Sequence, residues 1–320
     1  MLQLLLQTGL SAVTSGQAVP ELPNNCITET FDLPEQADNL YAYNCCTDWP
    51  VAFGVVHPCW FAMQALRMQA QLFTLKNQPF KALGIVHVRN RIEMSQWAGV
   101  NDTVTISCQF GQVWLHKRGY MFNVITRVDG WIDGEAQQIM RIDGHYLARQ
   151  TATVDTGLEA YPQVEILSYA DATAMQTQLP LPSDLGKVYA KISGDYNPIH
   201  LYPLTAKLFG LKRHIAHGMW TKAKVMSSTA RHIWAEQISN GERPVFDHQL
   251  NIDVQFMQMI YLPAKIDILV DTNLVSTSKT TPSQLLAQSW VTSPTMNKPY
   301  LQMELTQGLT AELSTSPNIV

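Results

Sequence analysis

Charged side chains are scarce in this chain of 320 residues: Asp, Glu, Lys and Arg make up 15% of it, against 46% hydrophobic residues. Such a composition excludes long disorder and demands a substantial core, in two ordinary domains or one large one. A cationic excess is missing too. The net charge is −4, which gives no general electrostatic footprint for nucleic acid and leaves room only for short cationic patches that could meet a phosphate-bearing ligand. Cysteine is sparse. The five residues Cys26, Cys45, Cys46, Cys59 and Cys108 are odd in number and irregular in spacing, matching neither a disulfide framework nor a zinc ribbon, so a reducing cytoplasm is the simplest reading. No Lys or Arg precedes Arg67, so "MLQLLLQTGLSAVTSGQAVP" lacks the positive n-region of a signal peptide. Its apolar run is far too short to span a bilayer. We expect an amphipathic first element packed on the domain, and no membrane partner.

What the chain does contain is a faint repeat. "VVHPCWFAMQALRM" (55–68) and "IAHGMWTKAKVM" (215–226) share a histidine, one residue, a sulfur-bearing residue and a tryptophan: His57 aligns with His217, Pro58 with Gly218, Cys59 with Met219 and Trp60 with Trp220. Each segment opens a proline-free run long enough for a long helix, about Pro58–Leu75 and Gly218–Ile238. Trp60 and Trp220 read as core. Strand-like material follows each helix, at 83–94, 103–116, 120–130 and 135–144 in the first half and at 250–260, 264–276, 283–293 and 300–306 in the second. Asp129-Gly130, Asp133-Gly134 and Asp143-Gly144 read as tight turns between strands. One long helix and a meander of antiparallel strands, twice over, predict an α+β protein with a sheet wrapped around a helix in each half. The expected division is 1–150, a connecting and crossing segment 151–185 rich in proline and acidic residues, and 186–320, whose last residues fray.

The stretch "KISGDYNPIHLYPLTAKLFGLKRHIAHGMW" (191–220) gathers Asp195, His200, His217 and Gly218. Asn197-Pro198 is a helix start, with Asn as cap and Pro in the first helical position. His200 then falls in the first turn and Asp195 just before the cap, so both side chains can aim into one cleft. Gly194 permits an unusual backbone angle or the close approach of a substrate. An Asp and a His, with ordinary pKa values of about 3.9 and 6.5, can between them accept and donate protons near neutrality. Gly218 opens the second long helix, and its amide has no intrahelical partner and gains from the helix dipole, so it is a natural oxyanion donor. Such a set suits chemistry alpha to a thioester carbonyl. The bland alternatives are a turn-capping Asp195 and a core His200; a metal site of Asp195, His200 and His217 is a third, unsupported by any His-x3-His or Cys-x2-Cys spacing.

"YAKISGDYNPIH" (189–200), "AKLFG" (206–210) and "IAHGM" (215–219) together resemble the MaoC-like dehydratase family, which includes (R)-specific enoyl-CoA hydratases. The dense match covers about Tyr189 to Ala223, and the remainder looks like a double hotdog. The resemblance implies a hydro-lyase that interconverts trans-2-enoyl and (R)-3-hydroxyacyl thioesters of CoA or acyl carrier protein in fatty acyl metabolism, with no metal or other cofactor. It implies catalytic roles for Asp195, His200 and Gly218 and substrate contacts at Asn197, Ser193 and His217. The first half departs from the pattern: its counterpart region reads "NCCTDWPVAFG", and Pro58 has no N–H for an oxyanion. A degenerate half implies a lost site and a new task, housing a longer acyl chain, with His57 a structural remnant. Lys212, Arg213, Lys222 and Lys224 are equally open to contact with CoA or carrier phosphates and to a solvated face. A homodimer is compatible with all of this. The alternatives are an idle acyl-thioester-binding or assembly subunit and a hotdog thioesterase, which the intact D-x-N-P-x-H motif disfavours.

Overall fold

Two long helices form the centre of the molecule, and one sheet curls around both. The structure, a computed structural model, describes residues 20–82, 84–132, 135–149, 157–166, 175–240, 242, 249–272, 284–295 and 299–308. The expected N-terminal element, the Asp133-Gly134 turn and the C-terminal tail lie outside the described residues. The strands are β1 Cys26–Asp32, β2 Ile85–Met94, β3 Thr103–His116, β4 Gly119–Ile132, β5 Glu135–Arg149, β6 Met175–Leu181, β7 Leu250–Phe256, β8 Ala264–Asp271, β9 Gln284–Thr292 and β10 Leu301–Gln307. They make one ten-stranded sheet in the order β1-β3-β4-β5-β2-β7-β10-β9-β8-β6, antiparallel at every pairing. The first five strands of that order come from the first half and the rest from the second. They meet where β2 pairs with β7, from Arg89↔Gln255 to Met94↔Leu250. This is the double hotdog.

The helices are α1 Ala37–Thr47, α2 Pro58–Leu72, α3 Leu185–Ser193, α4 Pro203–Leu208, α5 Gly218–Ile233 and α6 Ala235–Asn240. The long α2 and α5 start at the expected residues. They stop earlier than the sequence suggests, at Leu72 and Ile233, and the chain turns at Trp234 into the separate α6. Strand periodicity orients the sheet onto them. In β3, Val104, Ile106, Cys108 and Phe110 are buried while the residues between them are half-buried, the alternation of a sheet with one covered face. On the other face, Thr28 meets Ser107 at 3.0 Å and Thr30 meets Thr105 at 3.1 Å, cross-strand hydroxyl pairs that tie on the edge strand β1.

Two of the expected turns are not turns. Asp129-Gly130 lies within β4 and Asp143-Gly144 within β5. Their glycines make room: a Cβ at 144 would come within 2.9 Å of the Tyr146 hydroxyl, and one at 130 within 3.2 Å of the Ile139 side chain. The connecting segment also holds more structure than expected. Its residues 175–181 are β6, the far edge strand, paired with β8. Before it, Leu115 exchanges backbone bonds with Glu159 and Tyr161, while the Glu165 carbonyl accepts from Gln255 and Gln302. Residues 157–166 thus cross from β3 to β7 and β10.

The repeated tryptophans do a repeated job. Trp60 donates its indole N–H to Asn39 (2.8 Å) and Trp220 donates to the Cys46 carbonyl (3.1 Å), so both long helices are anchored to α1. Asn39 also donates to the Ile192 carbonyl at the end of α3 (2.8 Å). Asp48, in the left-handed region (φ 59°), ends α1; its carboxylate takes the Lys224 ammonium and its carbonyl takes Arg231.

Lys222 is fully buried on α5, at 0% exposure, and donates to the Asn90 side-chain carbonyl on β2. Burial pushes its pKa down to about 8, with Cys59 of α2 and Asp253 of β7 pulling the other way; His87 of β2 is pushed down to about 3 by burial and by this lysine. Because the folded pKa lies below that of the unfolded chain, unfolding takes up protons between the two values, and stability rises with pH across that window. Lys222→Met removes this dependence. The melting-temperature difference between the variant and the wild type should therefore move in favour of the wild type as pH is raised from 7.5 to 10, and a difference that stays constant would refute the assignment.

Candidate active site

Local hydrogen bonding builds the site from α3 onward. That helix ends at Gly194, whose φ of 73° is the left-handed conformation that a glycine adopts freely and whose N–H bonds to the Ala190 carbonyl at 2.9 Å. The Ser193 hydroxyl donates to Tyr189 O (2.9 Å) and accepts the Asp195 N–H (3.2 Å). One carboxylate oxygen of Asp195, Oδ1, accepts the Asn197 N–H (3.1 Å), and the Asn197 side chain accepts the Ile199 N–H (3.3 Å). Asn197 is thus the cap of a single 3-10 turn, Pro198–His200, with proline in its first position. Ser193 and Asn197, expected as substrate contacts, are held in these internal bonds and shape the loop that carries Asp195.

His200 and His217 are stacked, with centroids 3.8 Å apart and planes at 26°. Nδ1 of His200 lies 2.9 Å from the Ile215 carbonyl, and Nε2 of His217 lies 3.1 Å from the Asp195 carbonyl. A carbonyl oxygen only accepts, so each of these nitrogens carries the proton. The opposite nitrogen, Nε2 of His200 and Nδ1 of His217, is then left with a bare lone pair. Burial holds the His200 pKa below its usual value against the attraction of Asp195. It holds that of His217 well below, helped by His200. Both rings are neutral near pH 7. Asp195 is half-buried, and each of Asp195, His200 and His217 offers a ligand-type atom within 4.8 Å of the others. The expected trio therefore converges. A metal ion could be met only through Nε2 of His200 and Nδ1 of His217, because the opposite nitrogens donate to carbonyls.

Gly218 is the exposed first residue of α5, where an amide has no acceptor within the helix. A Cβ at this position would come within 3.2 Å of the Phe256 ring at the end of β7, so the glycine keeps space between helix and strand. A small cleft borders Asp195. Met63, Leu66 and Arg67 of α2 form one wall, and Tyr189 and Met219 face them. The first half thus supplies surface next to the second half's carboxylate.

The corresponding place in the first half is closed. Pro58 begins α2 without an N–H, and Nδ1 of His57 accepts the Cys59 N–H at 3.0 Å. Its Nε2 lies 3.1 Å from Ala223 O and 3.2 Å from Ser227 Oγ, and burial pushes the ring pKa down to about 3. No nitrogen of His57 is left for a ligand. Two of the four cations considered for phosphate are also removed: Lys222 is fully buried against Asn90, and Lys224 is held by Asp48. Lys212 and Arg213 are exposed.

These features define a class, a double-hotdog protein with one intact and one closed helix start. The MaoC like domain matches residues 142–285. The curated 3-hydroxyacyl-thioester dehydratase X of Mycobacterium tuberculosis is 26% identical over 273 residues, covering 83% of this chain and 87% of that protein. The crystal structure of HtdX from the same organism superposes with a TM-score of 0.64 at 22% identity, over 88% of this chain and 99% of that one. A MaoC-like dehydratase from Phytophthora capsici gives 0.65 at 14% identity, over 90% and 96%. The chain thus carries a MaoC like domain match and is similar to MaoC-like dehydratases over most of its length.

Sequence reasoning missed Gly186. A Cβ there would collide with the carbonyl oxygen and carbon of His200, so this glycine, one residue into α3, lets the helix lie directly against the Pro198–His200 turn. A glycine inside an otherwise amphipathic helix was the available signal. Gly186→Ala should displace His200, reducing turnover by at least about tenfold and lowering the melting temperature, since backbone atoms cannot yield as a flexible side chain can. Wild-type kinetics in this variant would show that the contact is not needed.

Proposed function

We propose that this protein is a hydro-lyase that adds water to trans-2-enoyl thioesters, giving (R)-3-hydroxyacyl thioesters, and catalyses the reverse dehydration. The observation that carries this reading is the bare Nε2 of a buried, neutral His200 beside the Asp195 carboxylate, with the exposed Gly218 amide at the adjoining helix start. His200 Nε2 and Asp195 are both proton acceptors, so together they can hold one water by its two hydrogens. One of them takes a proton as the water oxygen bonds to C3 and the C2–C3 electron pair shifts toward the thioester oxygen. The Gly218 N–H stabilises that oxygen. Collapse of the enolate returns the proton to C2, so atoms and charge balance without a further reactant. The cleft walled by Met63, Leu66 and Met219 takes the acyl chain. Five free cysteines support a cytoplasmic setting.

Asp195→Asn and His200→Ala should each lower turnover by at least about a hundredfold, and the double variant should lose little more, because the pair acts as one unit. With neutral His200 required, the wild-type rate should fall on acidification with a midpoint below the usual histidine value, following the direction of its shift. Enoyl-thioester absorbance in well-folded variants is the measurement. Near-normal turnover would instead favour an idle binding subunit, and release of free thiol a thioesterase.

The oxyanion role has its own test. Gly218→Pro removes the N–H and should cost about a hundredfold or more, the usual effect of losing one such donor. Gly218→Ala keeps the N–H but meets Phe256. Combining it with Phe256→Leu should therefore restore activity, whereas Gly218→Pro should stay impaired in the same background. Equal behaviour of the two double variants would reduce the role of Gly218 to space alone.

A further inference from the structure

The segment that leads away from His200 is unusually exposed. On α4 only Ala206 is buried, and Leu204 and Leu208 are 74% and 79% exposed. Spaced by four, they lie on one face of the helix. Tyr202, Phe209, Tyr196 and, on the neighbouring α3, Val188 are also exposed large apolar residues. Lys187 of α3 holds its ammonium 4.2 Å over the Tyr202 ring, which joins the two helices into one surface.

Charge is distributed just as unevenly. The protein carries −4 overall, yet residues 184–213 hold five cations, Lys187, Lys191, Lys207, Lys212 and Arg213, against two carboxylates, Asp184 and Asp195. Among the described residues none of these five cations forms an ion pair. The surface is also fastened to the site. The Thr205 hydroxyl donates to the Pro198 carbonyl at 2.6 Å, and the Ile215 N–H bonds to the Ile199 carbonyl at 3.0 Å. A partner seated on α4 therefore sits one turn from His200.

We propose that this face docks a small acidic carrier protein that presents the acyl thioester to the cleft. The proposal rests on the hydro-lyase reading and chooses between its two carriers. CoA brings phosphates, which cations alone would satisfy, and has no surface to cover Leu204 and Leu208. An acidic helical carrier brings both negative charge and an apolar strip, matching a basic rim around an apolar helix face. Screening by salt should weaken such docking strongly.

The probe is an acyl carrier protein of the free-standing bacterial type, loaded with a saturated octanoyl chain, which can dock but has no double bond to hydrate. Its binding to the full chain is followed by fluorescence anisotropy, with Leu204→Ser/Leu208→Ser and Lys191→Glu/Lys207→Glu as variants. Each pair should weaken binding at least about tenfold, and affinity should fall steeply with ionic strength. For the same trans-2-enoyl group, kcat/KM on the carrier should fall in parallel, while the CoA thioester stays within about twofold of wild type. That CoA control separates docking from damage to the catalytic turn. A wild type that does not bind the carrier, or variants that bind it normally, overturns the proposal. So does carrier binding that survives while self-association, or binding to phosphatidylserine–phosphatidylcholine vesicles, is lost; the face then belongs to a second copy or to a membrane. A wild type that binds the carrier but hydrates neither thioester sinks the hydro-lyase reading and leaves the docking face standing.

Discussion

Two backbone carbonyls set the protonation pattern of the candidate site. Ile215 O and Asp195 O each take a ring N–H, from His200 and His217, and those bonds select the tautomer of a stacked, buried pair. Burial in a low-dielectric setting keeps both rings uncharged. A bare nitrogen next to a carboxylate follows from these two facts, so the proton-accepting capacity of the site originates in main-chain placement. The turn that sets His200 O and His200 Nδ1 in position depends in turn on a helix with no side chain at Gly186.

The two halves show what happens when the same histidine receives different neighbours. At His57 the imidazole caps its own helix through Cys59 and reaches across to Ala223 and Ser227, so it is consumed in holding α2 against α5. At His217 no side-chain cap forms, and Nδ1 has no partner among the described residues. The closed half is not idle. Its α2 walls the cleft beside Asp195, its α1 receives both tryptophans, and its β2 accepts the buried Lys222 through Asn90. Pro58, at the place of Gly218, makes the difference chemical as well as steric, because no amide proton exists there.

Features determined within a few residues were legible in the sequence. The Asn197-Pro198 cap, the left-handed Gly194, the starts of both long helices and the alternation along the strands all arise locally, and the structure reproduces them. What could not be read depended on a distant surface. Strand β1 and helix α1 drew no notice because their value lies in β3 and in two tryptophans far along the chain. Gly130 and Gly144 looked like turn residues, but the reason for them is the Ile139 and Tyr146 side chains passing over the strands. For Lys222 and Lys224 the sequence left phosphate contact and a solvated face equally open, since most helices have a wet side. Here α5 is enclosed on nearly every side from Met219 to Ser227, and a lysine's environment is decided by the other half.

The seam between β2 and β7 joins residues far apart in the chain, from Arg89↔Gln255 to Met94↔Leu250. During synthesis the first half emerges with β2 as an open edge, its N–H and C=O groups pairing only with β5 on one side. It stays so until residues 250–256 leave the ribosome, a span of many seconds at roughly 5–20 residues per second. An uncovered edge strand is a template for pairing with other chains. The second half is therefore more than the bearer of the candidate site: for the nascent protein it is the cover that arrives last.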